Sequence, residues 1–179
     1  KKIREFQIVS RSLGNQSQYF QYNEEFKRFE CSIDVQFDAG QSIIKQQYVD
    51  PLTAAGKELE RLVKDFQQKS ENIAFKVIID GRAANNQNPH VNDGKPWKEG
   101  DATWRNMEVV SYERARAVRE LWQKKGIFAD TEALSNVDVI ISGSGFGGKG
   151  RYTQKKGVKE DLEAKNKTFI IQIIPYINF

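Results

Sequence analysis

Arg114 is the residue in this 179-residue chain whose type and position call for chemistry. It stands in the stretch 106–126, NMEVVSYERARAVRELWQKKG, where Val110, Ala117, Val118 and Leu121 fall within about a quarter turn of one another at helical spacing. A guanidinium inside such an apolar stripe needs partners. Either the helix starts here and Arg114 reaches past its end, or a carboxylate waits for it. Ser111 favours the first account: it reads as an N-cap, with Glu113 in the first turn and Arg114 at the third helical position, where side chains lean back toward the N-terminus. The cation and the free N–H groups of that turn then face one space, which suits an anion.

The other reactive residue types point to less. His90 sits in an Asn-rich stretch with no second metal ligand at zinc-like spacing, and reads as a solvated loop residue. Cys31, the one cysteine, alternates with apolar neighbours and reads as a small core residue. Gly143 to Gly150, GSGFGGKG, is phosphate-cradle-like in composition but lacks the Lys-Ser/Thr ending, so its glycines serve a flexible turn between two strands. Nothing singles out two of the 24 acids as a pair for glycan cleavage. The chain reads as a non-enzyme without cofactor or metal. Its net charge of +4 is spread among acids, as in Lys57-Glu58-Leu59-Glu60-Arg61, which is a solvated helix face and not a nucleic-acid footprint.

With 39% hydrophobic residues the chain can bury one good core, and one domain is expected. No run approaches the length of a membrane span, and no signal peptide is visible at Lys1; a start on Lys-Lys-Ile-Arg without Met points to an excised fragment whose anchor or export signal lies upstream. Ile3, Phe6, Val9 and Leu13 predict a short amphipathic helix, broken at Gly14, and Tyr19, Phe20 and Tyr22 are expected at a sheet edge. Alternation predicts a half-buried strand over Phe29 to Phe37. Asp50-Pro51 is expected to open a helix, as cap and first helical residue, with Leu52, Ala55, Leu59, Leu62, Val63 and Phe66 on its buried face. Phe75 to Ile79 reads as a strand. Arg82 to Arg105 follows as a polar segment of a length that in compact domains accompanies function or disorder. After the helix from Ser111 to Gly126, strands are expected over Val137 to Ser142 and Phe169 to Ile174. The order β-α-β-α-β-β predicts an α/β (α+β) sandwich, a mixed sheet with two main helices on one face and an N-terminal helical extension. An extension over 1–27 and a domain over 28–179 are expected.

The spacing Ser111, Arg114, Ala115, Val118, Leu121 resembles the signature helix of the OmpA-like family, the peptidoglycan-binding module of outer-membrane proteins, lipoproteins and MotB-type motor stators. The resemblance extends to other stretches. Val77 to Ala84, VIIDGRAA, is similar to the family's strand and "GHTD" turn; Val139 to Gly145 to its next strand and "GxG"; Lys167 to Pro175 to its closing strand; and Val35 to Gly40, VQFDAG, to the segment before its first helix.

The resemblance implies a cell-envelope or periplasmic protein, held to the inner or outer membrane, whose partner is the peptide stem of peptidoglycan at its diaminopimelate residue; a homodimer is a further expectation. In the family an arginine, here Arg114, pairs with a ligand carboxylate, and an aspartate ending the turn takes the ligand ammonium. A zwitterionic end needs one fixed cation and one fixed anion, and an arginine supplies a bidentate fork. This chain keeps the cation but has Ala84 at the aspartate position of the turn that Gly81 opens. Asn106 stands one residue off the register of the family's asparagine, and Val110 fills its leucine position. Three readings follow: an acid such as Asp93, Asp101 or Glu108 substitutes; the ligand lacks the ammonium or is amidated; or the fold has given up the wall and serves as an interaction or dimerisation module.

Overall fold

The computed structural model describes residues 17–38, 40–68, 73–85 and 97–177, with positions 4, 5, 7, 8, 11 and 15 before them. Most of the helix expected over 1–13, and residues 86–96 with His90 and Asp93, lie outside the described residues. Among those described, five strands form one mixed sheet: β1 (Phe20–Asn23), β2 (Arg28–Cys31), β3 (Ile73–Arg82), β4 (Val137–Gly145) and β5 (Phe169–Ile177), in the order β1-β2-β5-β3-β4. Only β3 and β4 run parallel; the other neighbours are antiparallel. Helices α1 (Gln46–Gln68) and α2 (Ala102–Lys124) pack on the face that carries Phe75, Val77, Ile79, Phe169 and Ile171. This is the expected sandwich, with a strand more than the sequence order predicts.

The core follows from the periodicity. On α1 Leu52, Ala55, Leu59, Leu62, Val63 and Phe66 are buried, as their spacing predicts. Alternate residues of β3 and β5 meet them, each fully buried aliphatic side chain contributing roughly 1.5–3 kcal/mol over exposure. Trp122 of α2 is completely buried, and its indole Nε1 donates to the Leu52 carbonyl at 2.8 Å, so the two helices are joined by packing and by a satisfied polar contact.

Several boundaries differ from expectation for identifiable reasons. β1 is a strand, paired with β2 through a turn in which Phe26 N donates to Asn23 Oδ1 at 3.0 Å and Lys27 takes a left-handed φ of 51°. The expected boundary at 27/28 falls in this turn. β2 stops at Cys31: its pairing with β5 covers only Phe29 and Glu30, Cys31 pairs with Phe20 of β1, and the chain then turns away, Val35 N donating to Ile33 O at 2.9 Å. α1 begins at Gln46, so Asp50 is not its cap and Pro51 stands inside it. That position is within the second turn, where a proline removes one intrahelical bond but leaves the rest of the helix unbroken. β4 runs on to Gly145 and β5 to Ile177, so part of the expected glycine turn is strand.

The largest correction concerns α2. It starts at Ala102 with Asp101 at the N-cap position, and Ser111 lies mid-helix and completely buried. The buried stripe is Ser111, Ala115, Val118 and Trp122, one residue away from the predicted stripe, and Arg114 flanks it. What draws Ser111 inward is close packing on glycine. A Cβ at Gly81 would stand 2.0 Å from the Ser111 carbonyl oxygen, one at Gly143 2.3 Å from Tyr112 N, and one at Gly145 2.8 Å from Glu108 N. The three glycines form a smooth track on which the helix backbone rides.

The other sheet face is partly covered by residues 146–168, which are pinned by buried charge. Arg82 Nε donates to Asp80 Oδ2 at 3.0 Å, and its Nη2 and Nη1 donate to the carbonyls of Lys149 and Gly150. Ser142 and Ser144 hydroxyls donate to the same Asp80 carboxylate at 2.7 and 2.8 Å. Buried charge is tolerated here because every partner answers it.

Cys31 packs against the core, and burial pushes its thiol up to about 12. At pH 8 it should react slowly with a disulfide reagent in the folded chain and at the rate of free cysteine in denaturant, since the thiolate is the nucleophile. Equal rates in both states would show that Cys31 is not held in the core.

Candidate functional site

A cleft of about 590 Å³ opens at the end of β3, between the segment after β2, helix α2 and the start of β5. Its chemistry comes from Asp34, Phe37, Arg82, Ala84, Arg114 and Lys167. Ala84 and Arg114, read from the sequence as one site, therefore line one space.

Arg114 comes to it from the side of α2. Its Nε donates to the Gln41 carbonyl at 3.0 Å, its Nη2 to the Asp38 carbonyl at 3.4 Å, and the guanidinium lies over the Phe37 ring at 5.0 Å. These contacts hold the turn at Gly40, whose φ of +67° suits glycine. Among the described residues no carboxylate pairs with Arg114, and burial alone pushes its pKa down. A guanidinium has five N–H donors and stays charged at neutral pH. Two donors go to backbone carbonyls and the Phe37 ring faces the cation, but no carboxylate among the described residues neutralises it.

The other cations of the cleft differ. Arg82 is buried and answered by Asp80, which belongs to the scaffold; its pKa is lowered chiefly by burial, against the raising effect of Asp80. Lys167 is exposed, just before β5. Asp34 is the one carboxylate among the described residues that line the cleft; it is exposed, and its Oδ2 accepts from Gln36 Nε2 at 3.0 Å. Asp38 is occupied by Lys45 at 2.7 Å.

The remaining sequence candidates stand elsewhere. Asp101 begins α2, thirteen residues before Arg114 and so roughly 20 Å away along the axis, and its carboxylate accepts from Lys98 N at 2.8 Å. Ser111 caps nothing and lies behind the cleft, its hydroxyl buried without a partner. The first-turn N–H groups of α2 are thus far from Arg114, and the joint anion site predicted there does not form. Gly81 serves the close packing of α2. Asn106 is exposed on α2 and does not line the cleft, whereas Met107 does. Glu108 accepts from Trp104 Nε1 at 3.0 Å, away from the cleft.

Sequence reasoning missed Asp34 and Lys167. Strict alternation across residues 29–37 assigned Asp34 to a solvent-facing strand position. The signal available was Val35-Gln-Phe-Asp-Ala-Gly40 itself, a stretch that leads from a strand to a helix and carries an acid immediately before it.

No family model matches the chain, and no curated protein matches it in sequence. Among solved structures it is similar to the OmpA-like domain of FopA1 from Francisella tularensis at 14% identity, over 88% of this chain and 79% of that one, with a TM-score of 0.45. It is similar to a MotB-like protein from Desulfovibrio vulgaris at 12% identity, covering 96% and 91% of the two chains, with a TM-score of 0.42. The cell wall anchor of the T6SS from Pseudomonas aeruginosa shares 14% identity over 96% and 97%, with a TM-score of 0.44.

Proposed function

We propose that the chain is a non-catalytic cell-wall binding domain that anchors an envelope protein in the periplasm by holding the peptide stem of peptidoglycan in the Arg114 cleft. The observation that carries this is the Arg114 guanidinium, half-buried in a cleft with no carboxylate of the described chain to pair with it. A desolvated cation aimed at an open space is a receptor for an anion of the ligand. The resemblance in sequence supplies the ligand class, a stem peptide ending in a zwitterionic diaminopimelate centre. Its carboxylate meets Arg114, and its ammonium is taken by Asp34, which replaces the acid missing at Ala84.

Purified peptidoglycan sacculi provide the test. The wild-type chain should sediment with sacculi and be released by a diaminopimelate-containing stem peptide, and Asp34→Asn should weaken binding about tenfold, the effect of one charged hydrogen bond at an exposed position. If the wild type stays in solution, the alternative holds, a fold that has lost wall binding and works as an interaction or dimerisation module.

A further inference from the structure

A second cavity, of about 370 Å³, lies at the far end of α2, against the first residues of β4. Arg119 and Gln123 form its helix wall, Val137 and Val139 its strand wall, and Phe128 and Leu134 are its buried apolar residues. Two observations there are independent of the Arg114 cleft.

The first is an open sheet edge. β4 ends the strand order and, among the described residues, pairs on one side only. Phe75 N donates to Asn136 O at 2.8 Å, which fixes the phase of the parallel ladder. The backbone groups of Asn136, Asp138 and Ile140 are spent on β3, and those of Val137, Val139 and Ile141 point outward. An edge with free N–H and C=O groups is a template for another strand.

The second is a cation without an answer. Arg119 Nη1 is buried with no hydrogen-bond partner, Arg119 makes no ion pair among the described residues, and burial alone lowers its pKa. Both features border the same groove. Alternate side chains of a strand added to β4 project toward the face that α2 occupies, where Arg119 stands.

We infer that the groove between α2 and the open edge of β4 binds an extended peptide segment of a partner protein by strand addition, with one aspartate or glutamate side chain of that segment paired to Arg119. Exposed Asp130 and Asp138 also line the groove. They repel a uniformly acidic peptide, so the segment carries one acid among neutral neighbours. They also oppose a second copy as occupant: two chains paired along Val137 to Val139 would set Asp138 opposite Asp138, and like charges in register are destabilising.

The probe is a pool of capped heptapeptides of alternating valine and threonine with one glutamate, its position scanned, against the same pool with glutamine. Amide shifts of the full chain are followed by NMR. The glutamate pool should move the amides of Val137, Val139 and Ile141, and the glutamine pool should bind about tenfold more weakly. Arg119→Gln should remove that difference. Val139→Pro, which deletes an outward N–H and no bond to β3, should weaken both pools, with circular dichroism confirming the fold. Equal binding of the two pools, or no shift at these amides, would overturn the inference. So would shifts that grow with protein concentration in the absence of peptide, since the edge would then pair with itself.

Discussion

Gly81→Ala should destabilise the domain by about 3 kcal/mol or more, the upper end of overpacking costs, and lower the thermal midpoint by roughly 6–12 °C for a chain of this size. The added methyl would stand 2.0 Å from the Ser111 carbonyl oxygen, which belongs to the helix backbone and cannot rotate away. Relief requires α2 to lift from the sheet. Lifting it opens the packing of Ala115, Val118 and Trp122 and displaces Arg114, so cleft binding should fall with stability. Gly157→Ala is the comparison: its φ is +83° and nothing lies within 4 Å of the added carbon, so it carries only the left-handed strain of about 1–2 kcal/mol. Thermal unfolding of the two variants decides the matter. Equal losses would mean that α2 does not depend on the glycine track.

The sequence makes the layers legible because burial there is one-sided and periodic. α1 shows its buried face in advance but for Gly56, whereas β3 and β5 are legible as apolar strands without the face that meets it. What is not legible depends on contacts between distant residues. Ser111 looks like a cap because serine favours helix ends, yet it is buried, since Gly81 and Gly143, both distant from it in the sequence, leave room for the helix backbone. The same contact shifts the buried stripe by one residue, so Arg114 moves from its middle to its flank. Pro51 is a comparable case: local preference places it at a helix start, and the chain before it is recruited into α1 because Tyr48 packs against the core. The pairing of Arg114 with Ala84 in one cleft was legible, because each belongs to a stretch with a recognisable neighbourhood. Asp34 is not, because where β2 ends is set by its partner strands and not by the alternation of its own residues.

Arg114→Ala should reduce affinity for a diaminopimelate-containing stem peptide by up to about a hundredfold, the upper range for losing a charged hydrogen-bond pair. The fold should survive. Arg114 donates to the carbonyls of Asp38 and Gln41, at the surface of the domain, so its loss frees one turn and leaves no buried charge unpaired. A variant that binds at wild-type strength would place the ligand elsewhere, and one that fails to fold would make Arg114 a clamp for that turn. The anion can be tested on the same scaffold, since Ala84 lines the cleft as Arg114 and Asp34 do. If Asp34 takes the ligand ammonium, Ala84→Asp in the wild type adds a like charge beside it, and affinity should stay level or fall. In an Asp34→Asn background the same substitution supplies the missing acid and should restore most of the loss. Calorimetry on the wild type, the two single variants and the double variant closes the cycle, whose coupling term is the measured quantity. A clear gain from Ala84→Asp alone, with Asp34→Asn silent, would leave the ammonium without a partner in the wild-type chain and remove Asp34 from the site.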